Sequence, residues 1–265
     1  MQDDTSLAPL LADLAAEHDA LDALVAPLPA ADWDRTTPAA GWLIRHQIAH
    51  LTYFDEQAAV AASDGDRFER ERDATSASGA FDTAGPYVHL QADALLDRWR
   101  RGRGALLAAF DGVGARQRLP WYGPPMSARS FLTARLMETW AHGTDVADAV
   151  GASLPASDRL RHVAHLGVVT RGWSYAVRGR EAPPGDVRVE LDPPGGGPPW
   201  AWGPADATDR VTGPAVDFCL IVTQRRPARD TALVATPGPA AEWLAVAQAF
   251  AGGPTTTEPA RTSGL

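Results

Sequence analysis

The sequence predicts a mostly α-helical protein with a small α+β part toward its C-terminal end. Two observations carry this. Apolar residues recur at helical spacing through four long segments before about residue 155, and beyond residue 183 the chain turns to short alternating runs broken by Gly and Pro clusters. At 265 residues and 45% apolar content it is long enough for one large domain or two ordinary ones. The expected organisation is a helical bundle over 1–155, a connecting helix over 156–182, a small α+β domain over 183–252 and a frayed tail over 253–265.

The first helix is expected from Leu7 to Val25, where Leu10, Leu11, Leu14, Leu21 and Leu24 keep helical spacing until Pro27 and Pro29 close it. The second spans Trp42 to Ala62, with Leu43, Ile44, Ile48, Leu51 and Phe54 on one side. Residues 63–85 are polar and rich in Gly, Ser and charge, which predicts a long loop with at most a short helix. A third helix is expected from Tyr87 to Phe110. The prolines of Pro120-Trp121-Tyr122-Gly123-Pro124-Pro125 then exclude helix, and Ser127 can cap a fourth from Ala128 to Val150 that Gly151 stops. Four amphipathic helices in one stretch make a bundle. A fifth helical segment is expected over Ser157 to Arg178. Strands follow at Val187–Leu191, Trp200–Trp202 and Ala207–Thr212, then helical spacing at Ala215–Gln224 and Ala240–Phe250.

Bulk chemistry narrows the function. A single cysteine, Cys219, excludes an internal disulfide and any thiolate cluster for zinc, so a metal must sit on nitrogen and oxygen. Among the apolar residues Phe218, Leu220 and Ile221, that thiol reads as inert core. All 24 basic residues are arginine, which rules out lysine Schiff-base chemistry. A net charge of −9 with no compact basic run beyond Arg225-Arg226 argues against nucleic acid. No stretch of about 18 apolar residues predicts a membrane span, and the acidic start MQDDTSLAPL lacks a secretory leader's positive charge, so a cytoplasmic location is expected.

Glu138 and His142 are four apart on the fourth helix and differ by about 40° in direction, so both can touch one ion. On the second helix His50 lies along the flank of the apolar face beside Leu43 and Phe54. Three inward ligands from two helices match a zinc-type site that keeps a position open for water or substrate. Spacing alone fits a surface Glu–His pair as well.

The surrounding text separates the two. Thr37-Pro38-Ala39-Ala40-Gly41-Trp42-Leu43-Ile44-Arg45-His46-Gln47-Ile48-Ala49-His50-Leu51, with Phe54-Asp55-Glu56, resembles the second helix of the DinB-like, mycothiol-dependent maleylpyruvate isomerase superfamily. So do Gly123–Ser127 with Ala134–Val146, Asp217–Arg226 and Trp243–Phe250, so that the resemblance covers nearly the whole chain. It implies a DinB-like four-helix bundle followed by a domain similar to sterol-carrier proteins. It also implies that His50, Glu138 and His142 bind one divalent ion, usually zinc. His46 stands where relatives tend to carry Asp.

Other candidates follow from position. His46, one turn before His50, could be a fourth ligand, a partner behind the ligands or an acid-base group, and its direction favours the rim. Asp145, one turn beyond His142, could orient that ring. Arg135 could hold a substrate carboxylate or pair with Glu138, and Arg225 or Arg226 could reach an acidic ligand across a domain cleft or act as helix-dipole partners. Trp121 and Tyr122 could wall the pocket or simply pack.

The resemblance implies a small-molecule substrate, acidic or carbonyl-bearing, and a thiol cofactor such as mycothiol. Its thiolate would add to an electrophilic carbon, giving cis-trans isomerisation or a thiol conjugate. Two alternatives stay open: a thiol-independent metal-dependent hydrolase, lyase or cyclase, and a non-catalytic metal- or ligand-binding protein.

Overall fold

The computed structural model describes residues 6–78 and 84–253. Residues 79–83 of the expected loop and 254–265 of the expected tail lie outside the described residues. The chain divides into two compact units, Met1–Leu154 and Pro155–Leu265.

The first unit is built on α1 (Ala8–Val25), α2 (Ile44–Ser63), α3 (Gly65–Ser78), α4 (Ala92–Phe110) and α5 (Ala128–Val150). Local chemistry sets the ends. Pro9 sits in the first turn of α1, where its missing N–H costs nothing. Ser127 Oγ accepts from the Ser130 N–H to cap α5, and Gly151 ends that helix in the left-handed region at φ 70°. α2 packs on α4 and α5, and α1 packs on α5. The shared core draws Leu21 and Val25 from α1, Ile44, Ile48 and Leu51 from α2, Leu95 and Trp99 from α4, and Val146 from α5. Each large aliphatic side chain buried there contributes roughly 1.5–3 kcal/mol.

Three features differ from expectation. The polar stretch after Ser63 carries a full helix, α3, because Phe68 is fully buried in a stack with Trp121 at 5.4 Å. Asp64 Oδ1 accepts from Arg67 N–H at its start, and Arg67 pairs with Glu71 one turn on. α4 begins at Ala92 rather than at Tyr87. Two-residue strands β1 (Arg118–Leu119) and β2 (Met126–Ser127) pair antiparallel and close the proline-rich loop between them.

The second unit opens with α6 (Leu160–Val169) and α7 (Arg171–Ala176), where a single helical segment was expected. The break falls at Thr170, whose hydroxyl turns back to the carbonyls of Leu166 and Gly167. Strands β3 (Val187–Asp192), β4 (Trp200–Trp202), β5 (Asp209–Pro214) and β6 (Val234–Ala235) form a sheet in the order β4-β3-β5-β6. β3 and β5 run parallel and the outer pairs antiparallel. α8 (Ala215–Val222) and α9 (Pro239–Val246) complete the unit, with Phe218 and Trp243 edge to face at 5.8 Å. The fold is thus mostly α, with a helical bundle and a small α+β part. Among the described residues no helix is long and apolar enough to cross a membrane.

Candidate metal centre

Packing of α2 on α5 brings one ligand atom each from His50, Glu138 and His142 to within 4.8 Å of one another. His142 Nε2 stands 3.1 Å from Glu138 Oε2, and His50 Nε2 stands 3.7 Å from the same oxygen. The two imidazole centroids are 4.3 Å apart. Bonds of about 2.0–2.1 Å in a tetrahedron separate neighbouring ligand atoms by about 3.3 Å, which these distances bracket. A simple surface pair along one helix lacks the second imidazole. The donor set therefore fits one divalent cation, and two imidazoles with a carboxylate suit zinc, nickel, iron or manganese.

Electrostatics favours charge at this point. Burial works against ionising Glu138, but the imidazoles of His142 and His50 beside it outweigh burial and hold the carboxyl well below the usual carboxylate range. The oxygen both histidines approach is a carboxylate oxygen at neutral pH.

Aromatic rings enclose the donors. Trp42 stacks on His142 at 5.8 Å and 24°, and Phe54 lies 4.5 Å from the His50 ring. Phe54 in turn meets Trp121 at 5.9 Å and Tyr122 at 5.5 Å, so both loop aromatics continue the wall that begins at His50. The Tyr122 hydroxyl is 2.9 Å from that of Tyr53. Behind His142, the Nδ1 atom contacts Oε1 of Gln47, which is fully buried on α2.

The remaining candidates divide. His46 Nδ1 accepts from the Leu43 N–H at 2.8 Å, so this side chain caps the start of α2. Arg135 is buried and its Nε and Nη2 donate to Asp55 Oδ1 at 3.0 and 2.8 Å, rather than to Glu138. The other Asp55 oxygen lies 3.7 Å from buried His18, whose pKa burial pushes down to about 4, leaving it neutral at neutral pH. Asp145 is buried one turn past His142, but the residue on the far nitrogen of that ring is Gln47. Arg225 and Arg226 belong to the second unit, just beyond α8. There Arg225 Nη1 donates to the Thr223 carbonyl at 2.6 Å and Arg226 Nη1 to the Arg225 carbonyl at 2.7 Å. Cys219 is fully buried, and burial pushes its thiol up.

Gln47 escaped notice in the sequence, although a signal exists. It lies three residues after Ile44 and four before Leu51, so an amide interrupts the apolar stripe of its helix. Such a group is kept only where a polar partner waits for it.

Two histidines and a glutamate converging from two helices of a bundle define a helical-bundle protein with a candidate metal centre. The family described as the mycothiol maleylpyruvate isomerase N-terminal domain matches residues 14–147, and the chain belongs to that family. A second family, described as wyosine base formation, matches only residues 197–236. Two uncharacterized proteins from two strains of Mycobacterium tuberculosis are each 49% identical over 249 residues, covering 93% of this chain and 96% of theirs. Among solved structures, the mycothiol-dependent maleylpyruvate isomerase is similar at a TM-score of 0.55 and 17% identity, and a point mutant of it at 0.56 and 16%. Both comparisons cover 89% of this chain and 95% of the other, a likeness of fold.

Proposed function

We propose that this protein is a metal-dependent enzyme of the isomerase or thiol-transferase kind, acting on a small acidic or carbonyl-bearing molecule with a low-molecular-weight thiol such as mycothiol. The observation that carries the reading is the convergence of His50, Glu138 and His142 on one point. Family membership supports the reaction class, since the family and its solved relatives are named for a mycothiol-dependent isomerase.

A divalent ion at this point would supply Lewis acidity, enough to hold a thiol as its thiolate for addition to an electrophilic double bond and later elimination. The chain's own residues do the rest. Glu138 stays ionised and contributes the one negative charge of the donor set, while His50 and His142 would each offer a ring nitrogen. Trp42, Phe54, Trp121 and Tyr122 form an aromatic border that restricts water beside the reacting atoms. Cys219 is buried in the second unit's core, so the thiol must arrive with the cofactor. Arg135, bonded to Asp55, is assigned to the scaffold, and His46 to the cap of α2.

The test is turnover of maleylpyruvate as a probe, with and without mycothiol, in metal-loaded protein. The expected result is isomerisation that needs both additions and falls at least about 100-fold in His50→Ala with its circular dichroism unchanged. Turnover by metal alone would replace the thiol-dependent reading with a hydrolase, lyase or cyclase. Undiminished turnover in His50→Ala would remove the site from the reaction.

A further inference from the structure

Three groups form a connected chain behind His142. Its Nδ1 contacts Gln47 Oε1, Gln47 Nε2 is 2.9 Å from Thr37 Oγ1, and Thr37 Oγ1 is 2.9 Å from the Trp42 carbonyl oxygen. The same carbonyl accepts from the Thr37 N–H at 2.8 Å, and the Trp42 indole stacks on His142. The loop that closes this circuit is itself pinned, by the bridge between Thr36 and Leu43 and by Ile44 N–H donating to the Arg35 carbonyl.

Direction follows from the inventory of hydrogens. A carbonyl only accepts, so the single hydroxyl hydrogen of Thr37 points at Trp42. Thr37 Oγ1 is then the acceptor for Gln47, which must present its NH2 group there and its carbonyl oxygen to His142. An oxygen so placed accepts only if Nδ1 carries a hydrogen. With Nδ1 committed to Gln47, Nε2 is the ring nitrogen left to face Glu138 Oε2, 3.1 Å away on the side of His50.

We propose that Gln47 is a positioning residue: through Thr37 and the Trp42 carbonyl it holds the proton on Nδ1 of His142 and aims Nε2 at the point shared with His50 and Glu138. Gln47 is fully buried on α2, so the circuit also fixes the angle of the ring. It further couples the ligand to the Thr37–Trp42 loop, whose aromatic residue covers the same ring. Part of this inference rests on reading the three donors as metal ligands, but the location of the proton does not.

The experiment therefore has two readouts. Nitrogen-15 NMR of the full-length protein reports whether His142 Nδ1 is protonated, in metal-free and in zinc-loaded samples. Chelator competition reports zinc affinity. In the native chain Nδ1 should read as N–H in both samples. Gln47→Leu should lose the Nδ1–H signature in the metal-free protein and bind zinc roughly 10–100-fold more weakly. Gln47→Glu, which keeps an acceptor, should restore both. Thr37→Val, at the edge of the circuit, should move both readouts in the same direction as Gln47→Leu and covers the case in which the buried substitution prevents folding. An Nδ1 without its proton in the native chain, or a signature unchanged in Thr37→Val and Gln47→Leu, would overturn the proposal. Native Nδ1–H in a protein that binds no zinc would instead uphold the relay and reject the metal reading.

Discussion

Arg135 and Asp55 are a buried ion pair joining α5 to α2, set one helical turn from Glu138 along α5. His18 beside them is neutral, so Arg135 carries the charge that compensates Asp55. Arg135→Met should destabilise the protein by roughly 3–5 kcal/mol in urea unfolding, because it strands a buried carboxylate. A substitution that leaves stability intact but raises KM would restore the substrate-binding role that spacing also allows. The sequence could place Arg135 on the inner face of its helix, yet not choose its partner. That choice depends on Asp55, which lies 80 positions away in the chain. The same limit explains Gln47. Its position in an apolar stripe is visible, whereas Thr37 and His142 meet it only in three dimensions. His50, Glu138 and His142 were legible because two of them share a helix face, the third flanks an apolar stripe, and the resemblance names all three.

At the scale of elements, long helices and the strands at Val187 and Trp200 were legible, and the two-residue strands were not. α1, α2 and α5 carry enough turns for their apolar stripe to stand out, while β1, β2 and β6 have two residues each, too few to express alternation. α3, expected as at most a short helix, runs longer for a different reason: its surface is charged, and the burial of Phe68 against a distant loop holds it down. The Thr170 break between α6 and α7 leaves no mark in apolar spacing. In the second unit the pairing of β3 with β4 depends on Gly203, which takes φ 78° where an added Cβ would collide with the Val187 carbonyl oxygen. Gly203→Ala should cost on the order of 2–3 kcal/mol, read as a lower thermal midpoint with the far-UV spectrum retained. A neutral effect would mean that the turn relaxes without strain.

At the scale of the molecule, the first unit suffices to build the donor set, since α2 and α5 both lie within it. That agrees with the family match falling on residues 14–147, and it makes the centre a property of the bundle. Fold class was legible from periodicity and resemblance together, because a bundle is written in stripes, while the order of strands in the small sheet is not. The proposed activity requires His50, Glu138 and His142 to act as one ligand set. Elemental analysis of purified native protein beside His50→Ala, both incubated with zinc and desalted, measures this directly. One equivalent of divalent metal per native chain, largely lost in the variant, is the predicted result; equal metal in the two proteins, or none in either, would contradict it.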